Sequence, residues 1–379
     1  MSALRDLCGL PETLIAHTMI ARILELISSE PYRSLLYLVG ICAFVAANAA
    51  YLVWVERKGA GRFQRRPGPD EAGPWGLLQP PADGIKLLSK QLLVPPGADA
   101  ILFRAAPLMV MAPPLVCLAV IPFGDFVLAR NVNIGLLMVF SFGSINVMAL
   151  MLGGWASRNK YAIISAARVV SQNVAYEIPM LLVVITLLMV TGTMNLQEII
   201  VQQAGGFWNW NILRGIWDFS GGGWGHIGGN LLAPVTFLIF YICMLAETNR
   251  APFDMAEAES ELVAGAFTEY GGMGFGVFFM AEYANIVVGC SLATLLFLGG
   301  WQSPVGIVPA SWGLFGTLLG VGFFLAKMYF LVFSVVWIRW TFPRTQFYGL
   351  LNLSWKILIP VSLFTLLLTS VLLKLPRLF

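Results

Sequence analysis

Residues 131–157 read NVNIGLLMVFSFGSINVMALMLGGWAS, a run of 27 residues without one charged side chain. A helix that crosses the hydrocarbon core of a bilayer needs about 20 consecutive, mostly apolar residues. Because lipid offers the backbone no hydrogen-bond partners, a segment of this kind closes its own hydrogen bonds as an α-helix. Seven further stretches are comparable, with one charge at most in each: 34–55, 105–124, 178–197, 219–246, 270–303, 312–338 and 357–373. The sequence therefore predicts an all-α integral membrane protein with eight transmembrane helices, accompanied by amphipathic surface helices.

The composition of the whole chain agrees with this prediction. Of the 379 residues, 58% are hydrophobic and only 11% are charged, and the formal net charge is +3. A soluble domain carries roughly 25% charged residues. These proportions exclude a soluble enzyme, a disordered protein and a nucleic-acid-binding protein that works through a basic face.

Residues able to hold a metal or a haem are few and scattered. The five cysteines form no C-x-x-C pair, four of them lie in apolar runs, and the two histidines are His17 and His226. An iron–sulfur cluster needs several thiolates close together, and a structural disulfide framework needs paired cysteines. The sequence therefore predicts no tightly bound metal, haem or flavin in this chain.

Three regions are expected along the chain. Residues 1–33 precede the first span without the pattern of a secretory signal, and an amphipathic helix over 13–28 would lie on the membrane surface. Residues 34–373 form the eight-helix membrane domain, which includes an acidic cytoplasmic loop at 247–269. Residues 374–379 form a C-terminal tail.

The distribution of Lys and Arg predicts the orientation of the spans. The loops that follow the odd-numbered spans carry 15 of these residues, and the opposite side carries 7. Cytoplasmic loops of membrane proteins carry an excess of Lys and Arg. The odd-numbered loops are therefore expected in the cytoplasm, and both termini on the outer side.

The first cytoplasmic loop places charges directly at the end of a span. Glu56 and Arg57 follow the first span, and Asp83 and Lys86 lie on a stretch that could form a surface amphipathic helix. Anchoring on anionic lipid is the alternative for the basic residues of this loop, and it stays open for three of them: Arg62, Arg65 and Arg66. An acid adds nothing to such an anchor, so the Glu56–Arg57 pair favours a functional site.

The third cytoplasmic loop is acidic, although its side of the membrane is otherwise basic. Between positions 247 and 282 it has one base, Arg250, and seven acids: Glu247, Asp254, Glu257, Glu259, Glu261, Glu269 and Glu282. Carboxylates that exchange protons near neutral pH are what a proton path requires. A solvated acidic face is the alternative, but Glu282 lies inside an apolar run where no solvated face exists.

A helix that starts at Pro252 is expected to align three of these acids. Proline is common at the first position of a helix. On that helix Asp254, Glu257 and Glu261 would share one face, while Glu259 would point elsewhere. Such a row cannot be fully ionised in a low-dielectric setting, so the pKa values of some of its members should be raised.

Two further charges lie at or within the spans. Glu177 immediately precedes the fourth span or lies one turn inside it, where an acid could simply favour the N-terminus of the helix. Lys327 lies within the seventh span. Its side chain could extend to the interface or pair with an acid of a neighbouring helix, and the sequence leaves both open.

Four segments of the chain resemble one known family. They are ERKG at 56–59 with GPWGLLQPPADGIK at 73–86, WAS at 155–157 through YEIP at 176–179, AETNRAPFD at 246–254 with its continuation to 270, and FFMAEY at 278–283. Together these motifs, which lie within residues 35–373, resemble a membrane subunit of respiratory complex I, NADH-quinone oxidoreductase. It is the H subunit of the bacterial enzymes and subunit 1 of the mitochondrial ones.

The resemblance implies a role for the charges. In this family eight helices lie at the base of the peripheral arm and join a quinone tunnel to the membrane arm. The resemblance implies that quinone is the substrate and that four residues lie along its tunnel: Glu56, Arg57, Asp83 and Lys86. It implies a proton relay of eight acids: Glu177, Glu247, Asp254, Glu257, Glu259, Glu261, Glu269 and Glu282. It also implies three supporting arginines: Arg168, Arg250 and Arg339.

The resemblance also implies partners and a location. The expected partners are the other subunits of complex I, including the peripheral-arm subunits of the quinone site and the membrane-arm subunits, together with membrane lipid; nucleic acid is not among them. The expected location is the bacterial inner membrane, with several passes and both termini on the periplasmic side. The mitochondrial inner membrane is the alternative.

Three features depart from the family pattern, and two other functions stay open. Pro343-Arg344 is followed by no acid, Arg158 stands where a small polar residue is common, and residues 207–229 resemble an insertion on the outer side. The alternatives are the membrane anchor of a related energy-converting hydrogenase and a stand-alone secondary transporter. A transporter would show inverted repeats with broken helices in matched halves, and the sequence contains no such repeat.

Overall fold

The computed structural model describes residues 30–125, 127–213, 232–255, 264–306 and 313–374. All regular secondary structure in these ranges is helical. The α-helices are α1 (Glu30–Phe63), α2 (Gln79–Ser89), α3 (Ala100–Val120), α4 (Gly135–Ala156), α5 (Lys160–Thr191), α6 (Leu196–Gln202), α7 (Ala233–Glu247), α8 (Gly272–Phe297), α9 (Gly313–Thr341), α10 (Phe347–Leu353) and α11 (Ile359–Lys374). A π-helical turn joins α10 to α11, and 3₁₀ turns lie at Pro74–Gly76, Phe207–Asn209 and Gly265–Phe267.

Seven helical segments of the described ranges are long and apolar enough to cross a membrane: Leu35–Phe63, Ala100–Val120, Gly135–Ala156, Lys160–Thr191, Gly272–Phe297, Phe315–Thr341 and Phe347–Leu373. The prediction of an all-α integral membrane protein is confirmed. The fifth predicted span, 219–246, corresponds to α7, which is apolar and 15 residues long. The part of that span before residue 232 lies outside the described residues, so the number of eight spans stays a prediction.

The chain divides into two compact units between Phe44 and Val45, within α1. The described part of the first unit is the first half of α1. Leu35, Leu36 and Val39 are exposed there, which gives this half-helix an apolar surface.

In the second unit, α8 packs against more helices than its neighbours do. It contacts α2, α3, α6, α7 and α9, and nearly all of its residues from Tyr283 to Phe297 are buried. A helix that is apolar on every side is stable only when other helices cover it. Small side chains allow this close packing: Ala281, Ala284, Ser291, Ala293 and Thr294.

An aromatic contact fixes the segment that enters α8. The ring of Tyr270 stacks on that of Phe103, in α3, with 4.1 Å between the centroids. The Tyr270 hydroxyl donates a hydrogen bond to the carbonyl of Gly153, in α4, at 3.3 Å. The start of α8 is therefore held against both α3 and α4, which form the most extensive helix pair of the unit.

Helix α5 begins earlier than the sequence predicts. The prediction starts the fourth span at 178, next to Glu177, but α5 starts at Lys160 and contains Glu177 near its middle. The predicted position of Glu177 at the helix start is therefore wrong. The reason is that Gln172 and Asn173, polar residues before the predicted span, are buried by neighbouring elements. Polar side chains that are covered by protein do not have to lie outside the membrane-spanning part of a helix.

The predicted helix start at Pro252 is also wrong. Pro252 lies in a turn, and Asp254 lies outside any helix. The Pro252 carbonyl accepts a hydrogen bond from the Thr345 amide at 3.1 Å, and the Phe253 carbonyl accepts one from Gln172 Nε2 at 2.8 Å. These contacts with α5 and with the loop before α10 stabilise an irregular turn where an isolated segment would start a helix.

The amphipathic stretch of the first loop forms α2, as predicted. The helix expected over 13–28 and the insertion after residue 213 lie outside the described residues. The same holds for three of the acids of the third cytoplasmic loop: Glu257, Glu259 and Glu261.

Candidate functional site

Arg250, in the turn after α7, is the centre of the candidate site. Its side chain is only 4% exposed. Arg250 Nη1 lies 3.4 Å from Oε2 of Glu56, near the end of α1, and Arg250 Nε lies 2.5 Å from Oε1 of Glu282, in α8. Burial of a charge is expensive unless charges of opposite sign and hydrogen bonds surround it. The two carboxylates therefore hold the guanidinium at the meeting point of three segments.

Glu56 has two further partners. Arg339, near the end of α9, forms an ion pair with its Oε1, and the Tyr283 hydroxyl donates a hydrogen bond to its Oε2. The Arg250 guanidinium lies over the Tyr283 ring, 4.4 Å from the centroid. Two acids and two arginines balance each other here in a buried setting. We call the following five residues the arginine–glutamate network: Glu56, Arg250, Glu282, Tyr283 and Arg339.

Two adjoining cavities lie beside this network. The first has a volume of about 480 Å³, and its lining includes four of the network residues: Glu56, Arg250, Tyr283 and Arg339. The second has a volume of about 550 Å³ and lies between α1, α2 and α8. Arg57, Phe279 and Tyr283 line both cavities. Volumes of roughly 300–1,000 Å³ are typical of sites for small organic ligands.

The second cavity is apolar along most of its wall and charged at the side of α2. The apolar part includes Ala46, Ala49, Leu87, Phe275 and Met280. The charged part consists of Arg57, Asp83, Lys86 and Lys90. Arg57 Nη1 lies 2.6 Å from Asp83 Oδ2, with side chains 45% and 35% exposed. The four residues predicted to lie along one tunnel therefore line two adjoining cavities.

On the other side of the network, Glu247 ends α7 between two small cavities of about 30 and 50 Å³. Asn146, Thr248 and Asn285 line both of them, and Glu282 lines the smaller one as well. Cavities of this size hold a water molecule when their walls are polar. Asn146 Oδ1 is buried without a hydrogen-bond partner among the described residues, so one acceptor of these walls is open to a water molecule. Glu247 and Glu282 thus face a common cavity, whose wall is largely apolar apart from these acids and a few polar side chains.

Glu177 approaches the same part of α4 as Glu247. Ser144 Oγ donates a hydrogen bond to Glu177 Oε1 at 2.5 Å. Gly143, the residue before Ser144, faces Glu247: a Cβ added at Gly143 would lie 3.2 Å from Glu247 Oε1. The absence of a side chain at this position leaves room for the carboxylate.

The remaining predicted residues lie outside this arrangement. Asp254 Oδ2 pairs with Arg344 Nη2 at 3.3 Å, and Glu269 Oε1 accepts a hydrogen bond from Asn159 Nδ2 at 2.7 Å. The Arg168 guanidinium lies over the ring of the first residue of α10, 5.8 Å from its centroid. Three predicted acids lie outside the described residues: Glu257, Glu259 and Glu261.

Sequence reasoning missed three residues that contact the predicted ones or share a cavity with them. Tyr283 and Asn146 carry a usable signal, since each is a polar residue within an apolar stretch, and Tyr283 directly follows Glu282. In the sequence, Arg344 stands out only because no acid follows it, which departs from the family pattern. Its pairing with Asp254 joins two loops that are distant in sequence, so no local pattern could have indicated it.

Among the described residues, no three Cys, His, Asp or Glu side chains come together as a metal site would require. The cysteines of these ranges are free: Cys42, Cys117, Cys243 and Cys290. The absence of a bound metal, haem or flavin stays a prediction.

Comparison with known proteins gives consistent matches along most of the chain. The family described as NADH dehydrogenase matches residues 36–370. The chain is 57% identical to the H subunit of NADH-quinone oxidoreductase from Desulfotalea psychrophila over 328 residues, 86% of this chain and 93% of that protein. It is 39% identical over 336 residues to the protein of the same name from Dehalococcoides mccartyi strain CBDB1, 89% of this chain and 86% of that protein. The protein of this name from Rhodospirillum centenum is 40% identical over 326 residues, 86% of this chain and 89% of that protein.

Proposed function

The chain belongs to the NADH dehydrogenase family, and from this premise we propose that it forms the quinone-access tunnel of an NADH-quinone oxidoreductase and the proton or charge relay that links quinone reduction to the membrane arm. Its relatives are subunits of an oxidoreductase complex, so the chain is part of an enzyme complex. The position of Arg250 carries the proposal. Its side chain lines the first of the two larger cavities and contacts Glu282, which shares a small cavity with Glu247.

The two larger cavities have the chemistry that a quinone requires. An isoprenoid tail is apolar and enters from lipid depth, while the quinone head is polar and takes hydrogen bonds and charge. The wall near Ala46, Phe275 and Met280 suits the tail. The adjoining cavity ends at Arg250 and Tyr283, whose side chains can bind a polar head on its way to the reductant in a partner subunit.

The network offers a way for the quinone to act on the acids. Reduction adds negative charge to the quinone. That charge would attract Arg250 and Arg339, which in the resting arrangement neutralise Glu56 and Glu282. Coulomb terms between charges a few ångströms apart amount to several kcal/mol in a protein interior. A proton or a compensating charge therefore moves toward the carboxylates, and the change passes from Glu282 to Glu247 and Glu177.

This role is electrostatic and involves no covalent intermediate on the chain. The eight predicted relay acids do not form one continuous row in the described residues; we propose that Glu282, Glu247 and Glu177 are the members next to the network. The partners of the chain would be the peripheral-arm subunits at the quinone site and the proton-pumping subunits of the membrane arm, with lipid around the spans. The excess of Lys and Arg in the odd-numbered loops supports a bacterial inner-membrane location with both termini periplasmic.

Purification of the intact complex through a tag on this chain tests the proposal. We expect peripheral-arm chains, with flavin and iron–sulfur absorbance, to co-purify. In the same preparation, Glu56→Gln should lower NADH:quinone activity at least about tenfold, since a buried ion-pair partner is worth several kcal/mol, and it should leave reduction of ferricyanide by the peripheral arm unchanged. Glu71→Gln, an exposed acid of the same loop, is the matched control.

Two results would contradict the proposal. A chain that purifies alone, or as a homo-oligomer, would indicate a transporter. Co-purification with hydrogenase subunits in place of an NADH-oxidising arm would indicate the anchor of an energy-converting hydrogenase.

A further inference from the structure

Lys327, on α9, binds three backbone carbonyl groups at the end of α8. Its Nζ lies 2.8 Å from the Leu298 oxygen, 2.9 Å from the Gly300 oxygen and 2.7 Å from the Gln302 oxygen. An ammonium group has three N–H donors, so each donor has one carbonyl acceptor. Among the ion pairs of the described residues, none includes Lys327. These three hydrogen bonds account for the position of Lys327 within an apolar span, without an acidic partner and without extension of the side chain to the membrane interface.

The backbone after α8 brings these carbonyls together. Gly299 has a φ of +71° and Gly300 one of +52°, a region that glycine enters without strain. The Gly300 amide bonds back to the Thr294 carbonyl at 3.0 Å, which closes the end of the helix. The carbonyls at a helix C-terminus carry partial negative charge. The turn therefore presents several of them to one point, where a cation is favoured.

An aromatic ring completes the surroundings of the ammonium group. Lys327 Nζ lies 4.0 Å from the ring centroid of Trp210, which is a cation–π distance. Trp210 is held close to the turn, since a Cβ added at Gly299 would lie 2.5 Å from its indole. Gln203 Oε1 accepts a hydrogen bond from the Gly299 amide at 3.0 Å, so the segment before Trp210 is tied to the same turn.

We infer that the Leu298, Gly300 and Gln302 carbonyls with the Trp210 ring form a binding site for a monovalent cation of the ammonium class, and that Lys327 fills this site from within the chain. Neutral carbonyl oxygens and an aromatic face suit a large, weakly hydrated monovalent cation. A divalent cation would favour carboxylate ligands, and in the part of the chain that the structure describes no carboxylate contacts Lys327 Nζ. The tethered ammonium joins α9 to the turn after α8 and, through Trp210, to the segment after α6.

The site lies near the middle of α9, whereas Arg339 lies near the end of that helix. The two residues are 12 positions apart, which corresponds to roughly 18 Å along a helix. Lys327 binds the turn that ends α8, and Arg339 binds Glu56 beside Tyr283 of α8. Two cations of α9 therefore hold this helix to other segments: Lys327 to the turn after α8, and Arg339 to Glu56 of α1.

Replacement of the lysine in the intact complex, followed by addition of free cations, tests the inference. Lys327→Ala empties the site, and Lys327→Met keeps most of the side-chain length, one atom short of lysine, without the charge. Both should lower the thermal midpoint of the purified complex, by about 2–4 °C or more on the usual scale of such effects. Ethylammonium or potassium chloride should restore part of the loss in Lys327→Ala, choline chloride at equal ionic strength should not, and Lys327→Met should respond to none of them because its thioether fills the space. Lys356→Ala, an exposed lysine, is the control.

Two outcomes of this experiment would overturn the inference. One is a Lys327→Met complex as stable as the native one, which would mean that the ammonium contributes nothing. The other is a Lys327→Ala complex whose loss is the same in ethylammonium, potassium and choline.

If the Lys327 variants fail to assemble, the native complex itself can be used to test the inference. Amine-reactive labelling of the native complex, read by mass spectrometry, should modify Lys327 at least about tenfold more slowly than Lys356, because its three donors are engaged. Trp210→Leu removes only the ring and should increase the labelling of Lys327 severalfold. Equal labelling of Lys327 and Lys356 in the native complex would contradict the assignment.

Discussion

Arg250 Nε lies 2.5 Å from Glu282 Oε1, and both side chains are largely withdrawn from solvent, at 4% and 15% exposure. Arg250 belongs to the acidic segment after α7, and Glu282 lies in the middle of the apolar helix α8. The contact therefore buries the positive charge of Arg250 inside the protein, where it is stable only beside oppositely charged groups such as Glu282.

Replacement of Arg250 should affect assembly and quinone reduction together. Arg250→Met leaves Glu56 and Glu282 as buried acids without their shared partner, and breaking a buried pair in this way destabilises by about 3–5 kcal/mol. We expect a severalfold loss of intact complex on native gels and no measurable quinone reduction. Arg250→Lys keeps the charge without the planar fork, so its amount of intact complex and its quinone reduction should lie between those of the native chain and of Arg250→Met. Arg130→Met, an exposed arginine, should match the native complex; normal assembly of Arg250→Met would show that the pair is dispensable.

Removal of the charge at Glu282 and Glu177 should lower proton pumping. Glutamine keeps the shape of the side chain and its hydrogen bonds but cannot exchange a proton. Glu282→Gln should lower the proton gradient formed per NADH oxidised, and the Glu177→Gln, Glu282→Gln double variant should lower it further. Pumping is measured with a pH-sensitive dye in proteoliposomes, with Glu198→Gln, an exposed acid, as the control. Fully coupled turnover in a double variant that assembles normally would remove these residues from the relay.

A methyl group at Gly143 should disturb the Glu247 carboxylate. Its Cβ would lie 3.2 Å from Glu247 Oε1, closer than ordinary van der Waals contact. Gly143→Ala should therefore lower pumping severalfold more than it lowers the amount of complex. Gly322→Ala, in α9, is the matched control because nothing lies within 4 Å of its added Cβ, and alanine is the better helix former. Equal pumping by the two variants would mean that the space around Glu247 is unimportant.

The Tyr283 hydroxyl should contribute to the quinone site through Glu56. Tyr283→Phe keeps the ring over Arg250 and removes the hydrogen bond that Glu56 accepts. A hydrogen bond to a charged group is worth about 1.5–3 kcal/mol, so quinone reduction should fall about tenfold or more while ferricyanide reduction stays constant. Tyr161→Phe, an exposed tyrosine at the start of α5, serves as the comparison. An unchanged rate in Tyr283→Phe would assign the hydroxyl a packing role only.

The Arg57–Asp83 pair should have a smaller effect that depends on salt. Both side chains are partly exposed, and pairs of this kind contribute about 0.2–1 kcal/mol. Asp83→Asn should raise the KM for a short-chain quinone by about two- to fivefold at low ionic strength, and the difference should shrink at high salt, where the charges are screened. Asp70→Asn, which breaks the Lys58–Asp70 pair of the same loop, should leave KM unchanged. A salt-independent effect of Asp83→Asn would indicate that its charge is not the cause.

Local composition was enough to predict the class of the protein and most of its spans. The stretch at 131–157 predicts α4, and the amphipathic pattern after Gln79 predicts α2, because each is decided by side chains within a few turns of the same segment. The bilayer imposes one length and one polarity on every span, so an apolar run can be interpreted without knowledge of its neighbours. The scarcity of charge in an apolar chain drew attention to Glu56 and to the acids between 247 and 282, whereas Arg339 was implied only by the family resemblance.

Only the tertiary structure decided how these charges are paired. Arg250 and Glu56 are 194 residues apart in sequence. Gln172 is buried against the carbonyls of Ala246 and Phe253, which are distant in sequence, so its polarity did not reveal that α5 continues through this region. Lys327 illustrates the same point, since its partners are main-chain carbonyls and these leave no trace in the sequence. Hydrophobicity is a property of each segment and can be predicted from it. The stabilisation of a buried charge depends on oppositely charged and polar atoms that folding brings to it, and their positions exist only once the helices have packed.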